Sequence, residues 1–558
     1  TCQHCEQNFT IEPEDFDFYA KIGVPEPKLC PDCRERRRLV FRNERNYYPR
    51  KCDLCGKQIV SVYDPARTKN VFCGSCWWSD KWEPLTYGRD FDFTKTFNEQ
   101  YRELLRDVPK LAMMNDNGVS SEGCEYTYDF AFGKNDYMVV ASWKVEDCMY
   151  GFQTNHCKAC VDCHSLLRTE ESYECVACND SYGLKYCDHC FDCLECAYGY
   201  DLKNCQDCLF CVGLRGKKYC IWNQQLTIGE YNQQKTALLN GSWLGHQKNV
   251  SKFNEFKLQF PRRFAFLVNC EDSTGDNLFN CHNAKNCYIF NDLHNCKYTS
   301  LGDTAKDCYD CTDTGNPELS YDSVTPDNSC MELFGVYGWK CQFVTYSENC
   351  HSSSDLFGCV GLRQKKFCIF NKQYSETEYK SLREKIVEHM KKLGEWGEFF
   401  DPKTSMFAYN ETAAQVWHPT SREEVTGLGY SWIEKIPGAY GRETIKVETL
   451  PDTIGEVQDT ICKEILACRL CSRNYKILKQ ELDFYRRKNL PLPHECIECR
   501  HFRRVEALNP KKLWSRQCQC EVTGHNHGGR CAETFETTYA PERPEKVYCE
   551  RCYLEEIG

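Results

Sequence analysis

The chain has no apolar run approaching the roughly 20 residues that a membrane-spanning helix needs. It has no charged-then-apolar leader ahead of its opening TCQHCEQNF, and no excess of positive charge. The first absence argues against a membrane protein, and the second sets a reducing cytosol as the expected compartment. With 70 Lys and Arg against 81 Asp and Glu, the net charge of −11 argues against wholesale coating of nucleic acid and leaves local basic patches open. A phosphate loop, a nucleophile elbow and a His-Glu metal motif are also missing, so the common hydrolytic and phosphoryl-transfer chemistries have no signature here. What the chain does have is cysteine, 44 in 558 residues. In a long chain read as intracellular, C-x-x-C pairs bind metal more often than they form disulfides.

Two four-cysteine sets open the sequence: Cys2 and Cys5 with Cys30 and Cys33, then Cys52 and Cys55 with Cys73 and Cys76. Each C-x-x-C knuckle points two thiolates at one ion. Two knuckles complete a closed tetrahedral site of the structural kind, for which zinc is the expected metal. The C-terminus repeats the plan. Residues 2–38 laid on 468–504 put the first four cysteines on Cys468, Cys471, Cys496 and Cys499, and put Phe18-Tyr19, Pro25 and Pro27 on Phe484-Tyr485, Pro491 and Pro493. A second offset carries Cys55, Cys73 and Cys76 onto Cys531, Cys549 and Cys552, but Cys52 falls on Gly528. The missing ligand must come from CQCEVTGHNHGGRC, which offers Cys518, Cys520, His525 and His527; His527 or Cys520 is the expected choice.

The first module, CQHCEQNFTIEPEDFDFYAKIGVPEPKLCPDCRERRR, resembles the bacterial "probable zinc-ribbon" domain family: C-x-x-C, an aromatic-rich middle, then P-x-x-C-x-x-C-R. The whole chain resembles the large cysteine-rich zinc-ribbon-domain proteins of bacterial genomes. The resemblance implies zinc and a ribbon fold at both ends and carries no activity with it.

Between the ends the cysteines fall on a beat. Cys160, Cys175, Cys190, Cys205 and Cys220 are fifteen apart, and Cys148, Cys163, Cys178, Cys193 and Cys208 form a second column. A fixed short period is the mark of a stacked repeat, and a parallel β-solenoid is the natural reading. The region is duplicated at an offset of 148: CVGLRGKKYCIWNQQLTIGEY returns as CVGLRQKKFCIFNKQYSETEY, and Cys148, Cys160, Cys163 and Cys193 return as Cys296, Cys308, Cys311 and Cys341. Each copy ends in a capping box, Thr227 with Glu230 and Ser375 with Glu378, opening a helix that closes the solenoid. In the second copy Cys175, Cys190 and Cys205 become Ser323, Gly338 and Ser353, while Cys178 and Cys208 become Pro326 and Leu356. Gly, Pro and Leu side chains ligate nothing, so the second copy reads as a stacking ladder. In the first copy two readings stand side by side. Either Cys160, Cys163, Cys175 and Cys178 form one zinc site and Cys190, Cys193, Cys205 and Cys208 another, or all eight are small buried fillers.

The expected class is mainly β and multidomain, with paired zinc ribbons flanking a duplicated solenoid with capping helices. The boundaries are ribbons at 1–45 and 46–90, a helical connector at 91–120, solenoid copies at 121–260 and 261–395, an irregular connector at 396–464, and ribbons at 465–510 and 511–558. In the first connector Phe97, Tyr101, Leu104, Leu105 and Val108 form a helical stripe that Pro109 stops.

Charge placement carries the functional hint. Residues 34–51, RERRRLVFRNERNYYPRK, interleave arginines with aromatics, the composition of an RNA or single-strand site in which Arg36, Arg37, Arg38 and Arg42 contact phosphates and Tyr47 and Tyr48 stack on bases. Arg500, Arg503, Arg504, Lys511, Lys512 and Arg516 repeat the pattern at the other end. Three functions compete: a non-enzymatic zinc scaffold gripping RNA or a ribonucleoprotein, a protein-only scaffold or zinc reservoir, and a metal-dependent enzyme. About four zinc ions are expected in the ribbons and one or two more in the solenoid; no small-molecule substrate is evident.

Overall fold

The computed structural model describes residues 1–115, 120–310, 312, 318–324 and 328–557; Cys311 and Pro326 lie outside them. The chain divides into two units, each discontinuous in sequence: residues 1–113 with 266–436, and 114–265 with 437–558. The N-terminal cysteine modules therefore fold with the second repeat copy, and the C-terminal modules with the first. Helix and strand contribute equally, 26% each, so strand does not predominate as expected. Much of the helix lies in the first module of each pair and in the segments after each repeat.

Each repeat copy is a parallel ladder. In the first, Tyr128 pairs with Val140, Val140 with Phe152 and Phe152 with His164, and single bridges carry the same step through Val176, Asp188 and Tyr200. One coil is thus twelve residues, not fifteen. The backbone turns at every third residue, where Asp129, Phe132, Asn135 and their successors to Phe210 hold φ between 48° and 60°, with Gly183 at 72°, the left-handed region that, glycine apart, the short polar Asn and Asp tolerate best. Each triplet supplies one inward side chain, one ladder residue and one left-handed residue. Four triplets close a coil, so the interior has four columns: Cys163, Cys175 and Cys187 stack in one, Cys178 and Cys190 in the next, and all five are fully or almost fully buried. Cysteine at inward positions makes any multiple of three look like a period. Fifteen is one coil plus one triplet, which steps to the neighbouring wall.

The second copy repeats this ladder from Leu278–Phe290 to Leu356–Cys368. Both copies end in the same way: a strand turns back antiparallel, pairing Cys220 with Gln225 and Cys368 with Gln373. The capping boxes then open helices Ile228–Leu238 and Glu376–Leu393. The connector stripe folds as the helix Phe97–Asp107 with Phe97, Tyr101, Leu104 and Leu105 buried.

In the first module of each terminal pair one helix precedes the second knuckle and another begins at it. Helix α1 (Pro13–Ile22) starts at a box between Glu12 and Asp15 and stops at Gly23, φ 74°. Helix α2 (Pro31–Leu39) begins at Cys30 with Pro31 in its first turn. At the other end α3 (Lys479–Lys488) stops at Asn489, φ 50°, and α4 (Ile497–Ala507) begins at Cys496. Asn489 replaces Gly23 at the left-handed stop, the substitution that this conformation accepts.

Candidate metal centres and the docked arginines

Four sets of cysteines bring their sulfurs within 4.8 Å of one another: Cys2, Cys5, Cys30 and Cys33; Cys52, Cys55, Cys73 and Cys76; Cys468, Cys471, Cys496 and Cys499; and Cys518, Cys531, Cys549 and Cys552. The local fold aims them. In the first set the Cys2 carbonyl accepts the Glu6 amide, with Glu6 left-handed at φ 58°, while Cys30 and Cys33 sit at the start of α2, where helix amides favour a thiolate. Cross-knuckle sulfurs lie 3.7 Å apart for Cys5 and Cys30, 3.9 Å for Cys55 and Cys73, and 3.6 Å for Cys471 and Cys496. Metal–sulfur bonds of about 2.3 Å give a tetrahedral edge of about 3.8 Å, so each set fits a four-thiolate ion. Backbone amides also support the ionised form. The amides of Cys30 and Cys73 donate to the sulfurs of Cys2 and Cys52 at 3.3 and 3.2 Å. Against the upward push of burial, the amides of Cys73, Cys55 and Leu54 hold Cys52 down to about 7.

The last set corrects the expected ligand. Cys518 completes it, not Cys520 or His527. The Cys549 amide donates to Cys518 Sγ at 3.3 Å, as the Cys73 amide does to Cys52. Arg516 reaches Gln519 as Arg50 reaches Asp53. Cys518 is therefore the counterpart of Cys52. Two residues separate Cys52 from Cys55 and twelve separate Cys518 from Cys531, so an insertion has moved Gly528 into the aligned column.

The solenoid thiols do not gather in this way. Among the described residues, the sets of three or more that converge lie only in the terminal modules. Cys160, Cys163, Cys175, Cys178, Cys190, Cys193, Cys205 and Cys208 each donate S–H to the carbonyl two residues earlier, at 3.1–3.8 Å. Burial pushes the Cys163, Cys175 and Cys178 thiols well up, which keeps a donor proton in place there, whereas hydrogen bonds from neighbouring thiols draw Cys160, Cys193 and Cys208 down. Of the two readings, this arrangement fits the hydrogen-bonded filler: within each candidate set the thiols are spread over adjacent columns and their sulfurs do not all converge.

The basic stretch is also placed differently from expectation. Arg34, Arg37 and Arg38 on α2 point into the first unit. Arg34 Nε meets Asp310 at 2.6 Å, and Arg37 and Arg38 grip the two oxygens of Asp322 at 2.5 Å each. Arg42 is buried against Glu44 at 2.5 Å, and Arg36, the most exposed of the set, reaches Glu424 at 3.1 Å. Tyr47 donates to the Glu44 carbonyl and Tyr48 to the Glu411 carboxylate. Arg36, Arg37, Arg38, Arg42, Tyr47 and Tyr48 therefore do not form an open phosphate-and-base surface: each guanidinium is ion-paired and each hydroxyl hydrogen-bonded inside the unit. His418, without a partner in sequence, lies 2.9 Å from Glu35.

The second unit makes the same joint. Arg500 meets Asp162 at 2.8 Å, Arg504 meets Asp162 and Glu174 at 3.2 Å each, and Arg503 meets Glu174 at 2.8 Å. Asp162 and Glu174 stand 148 residues before Asp310 and Asp322, and the arginines correspond through the module offset. Burial pushes Asp310 up, whereas Asp322, between Arg37 and Arg38, is held below the usual carboxylate range despite its burial.

The carboxylates are the functional residues that sequence reasoning missed. The available signal was an acidic residue at the same left-handed position in both copies. No protein-family model matches the chain, and no curated protein matches it.

Proposed function

We propose that the protein is a non-enzymatic scaffold held by structural zinc, and that its macromolecular partner is another protein. One observation supports this above the rest: in both units the arginines that gave the chain its RNA-like composition are committed to solenoid carboxylates. Zinc in the first module of each terminal pair fixes the helix that begins at the second knuckle, and the helix fixes the module on the solenoid wall. All-thiolate tetrahedral sets suit zinc and leave no open coordination position for a substrate. The described cysteines are all free of disulfides, as ligation in a reducing compartment requires. On the second unit, Tyr182 and Leu194 are paired one coil apart and are 43% and 39% exposed, an apolar strip of the kind that proteins contact.

The test pairs two binding measurements on the full chain. Single-stranded RNA is offered at two salt concentrations, and proteins co-purifying from native lysate are identified for the intact chain and for a Tyr182→Lys, Leu194→Lys variant. The expected result is no salt-dependent RNA binding and a co-purifying protein that the variant loses. Steep salt-dependent RNA affinity would instead favour the ribonucleoprotein reading.

A further inference from the structure

The insertion that opens the last knuckle brings more than a detour. Residues 519–530 carry Cys520, His525 and His527, and these three converge with Cys552 so that one ligand atom of each lies within 4.8 Å of the others. Cys552 already belongs to the four-thiolate set with Cys518, Cys531 and Cys549. We infer that the C-terminal module holds a binuclear metal centre: one ion on four thiolates, a second on Cys520, His525, His527 and Cys552, and the Cys552 thiolate bridging the two.

The ring orientation supports this independently of the spacing. His527 Nδ1 donates to the Gly529 carbonyl at 2.7 Å, which fixes the tautomer and leaves the Nε2 lone pair free. That Nε2 atom is buried and has no hydrogen-bond partner, a costly state for a polar atom unless something accepts its lone pair. Cys520 Sγ stands 3.1 Å from His525 Nδ1, and both Cys520 and Cys552 are fully buried. The loop is held in place by the Cys531 amide, which donates to the Cys520 carbonyl at 2.9 Å, and by the Asn526 amide, which donates to Glu555 at 3.3 Å. The corresponding N-terminal module has a two-residue knuckle and no histidine between Cys52 and Cys76, so the extra ligands arrive together with the insertion.

The donor set selects the ion. Two thiolates and two imidazoles suit zinc or a similar borderline divalent cation and disfavour magnesium or calcium. Charge balance agrees: a four-thiolate zinc is doubly anionic, and adding a second divalent ion with one more thiolate leaves a single negative charge. The inference rests on the four-thiolate reading and adds a fifth ion to it.

The full-length protein, purified without chelator, is analysed for bound zinc and then exchanged with cadmium-113. Five zinc ions per chain are expected. Two cadmium resonances should show mutual coupling through the shared sulfur, one in the four-sulfur range and one shifted by nitrogen ligation. The variant His525→Ala, His527→Ala should bind one ion fewer, lose the nitrogen-shifted resonance and keep every four-sulfur signal; Cys520→Ser should weaken the same ion only. Four ions in the intact chain, the absence of a coupled pair, or an unchanged content in the double variant would overturn the proposal. The spectrum of the intact chain decides even if a variant folds poorly, and loss of the four-sulfur resonances would count against the four-thiolate reading itself.

Discussion

The two units solve one problem with the same charges and different fillers. Arg34 and Arg38 on Asp310 and Asp322 match Arg500 and Arg504 on Asp162 and Glu174, while the solenoid interiors have drifted from Cys175, Leu184, Cys187 and Cys190 to Ser323, Glu332, Gly335 and Gly338. A buried ion pair is hard to change one side at a time, because the survivor is left charged and desolvated. An inward filler has to satisfy only volume and one carbonyl. Ser323 does this by donating to the Glu332 carbonyl at 2.5 Å, and Cys175 by donating to the Tyr173 carbonyl at 3.4 Å. The joint is therefore duplicated in detail and the filling is not.

Metal removal should erase the likeness in both units at once and is the largest effect expected. Structural zinc contributes about 10–16 kcal/mol to a small module, so chelation should open the terminal modules to protease while the solenoid coils remain protected in hydrogen exchange. Cys30→Ser should do this at the N-terminal module alone. Digestion running equally through residues 128–221 would break the picture of modules mounted on an independent ladder.

Next in size is the joint. Arg38→Ala and Arg504→Ala each take one of two arginines away from buried carboxylates and should cost up to about 3–5 kcal/mol of local stability, read as faster exchange of α2 and α4 amides respectively. The comparison sharpens at the third arginine. The Arg503 side chain is 44% exposed where that of Arg37 is 7%, so Arg37→Ala should be clearly more damaging than Arg503→Ala. Equal losses would mean that burial is not what gives the joint its strength.

The fillers should separate the units by pH. Burial pushes the Glu332 carboxyl up from 4.5 to about 8. The folded unit thus holds a proton that the unfolded chain has lost, and the contribution is complete below about pH 4.5 and disappears as pH rises through about 8. The first copy has Leu184 at this position. Added Cβ atoms at Gly335 and Gly338 would collide with the Glu332 carboxyl, so Glu332→Leu needs both glycines changed to cysteine to refill the space. That triple variant, which copies the first interior into the second, should flatten the alkaline loss of the first unit in denaturant titrations at pH 6 and pH 9. Persistence of the slope would place its origin elsewhere, for example at Glu348, which burial raises to about 7.

The smallest effect should be Cys175→Ser. The second copy already carries serine at the corresponding position, so a loss below about 1.5 kcal/mol is expected in thermal unfolding. A larger loss would show that sulfur volume, not hydrogen bonding, holds the first interior.

Much of this was legible in the sequence. Knuckle spacing and the internal offsets mark fifteen of the sixteen thiols in the four sets, all but Cys518, and the offsets expose both duplications. Cys518 was legible too, since the offset that carries Arg50 to Arg516 also carries Cys52 to Cys518; the insertion after it drew attention to the histidines. The twelve-residue coil was hidden by cysteine itself, which fills several inward columns and so supports several beats. Asn280, Asn283, Asn286 and Asn295, all left-handed, mark the triplets more faithfully, because backbone geometry and not volume selects them. The burial of Arg37 and Arg38 was not legible, because a basic helix facing carboxylates about 280 residues away has the same local composition as one facing phosphate.

A coil of triplets has a reading frame. Inserting or deleting one residue would swap inward, ladder and left-handed roles for everything downstream, so such a chain can grow only by threes unless some position absorbs the slip. The second copy contains that position. Its first step is eleven residues, Leu267 to Leu278, and the left-handed residues run Asn269, Asp272 and Gly275 before resuming at Asn277. Gly275, at φ 135°, lies where any Cβ would strike the Cys287 carbonyl. A residue without a side chain thus lets the chain change frame once and keep the ladder, and substitution of Gly275 should scramble the register of the coils beside it.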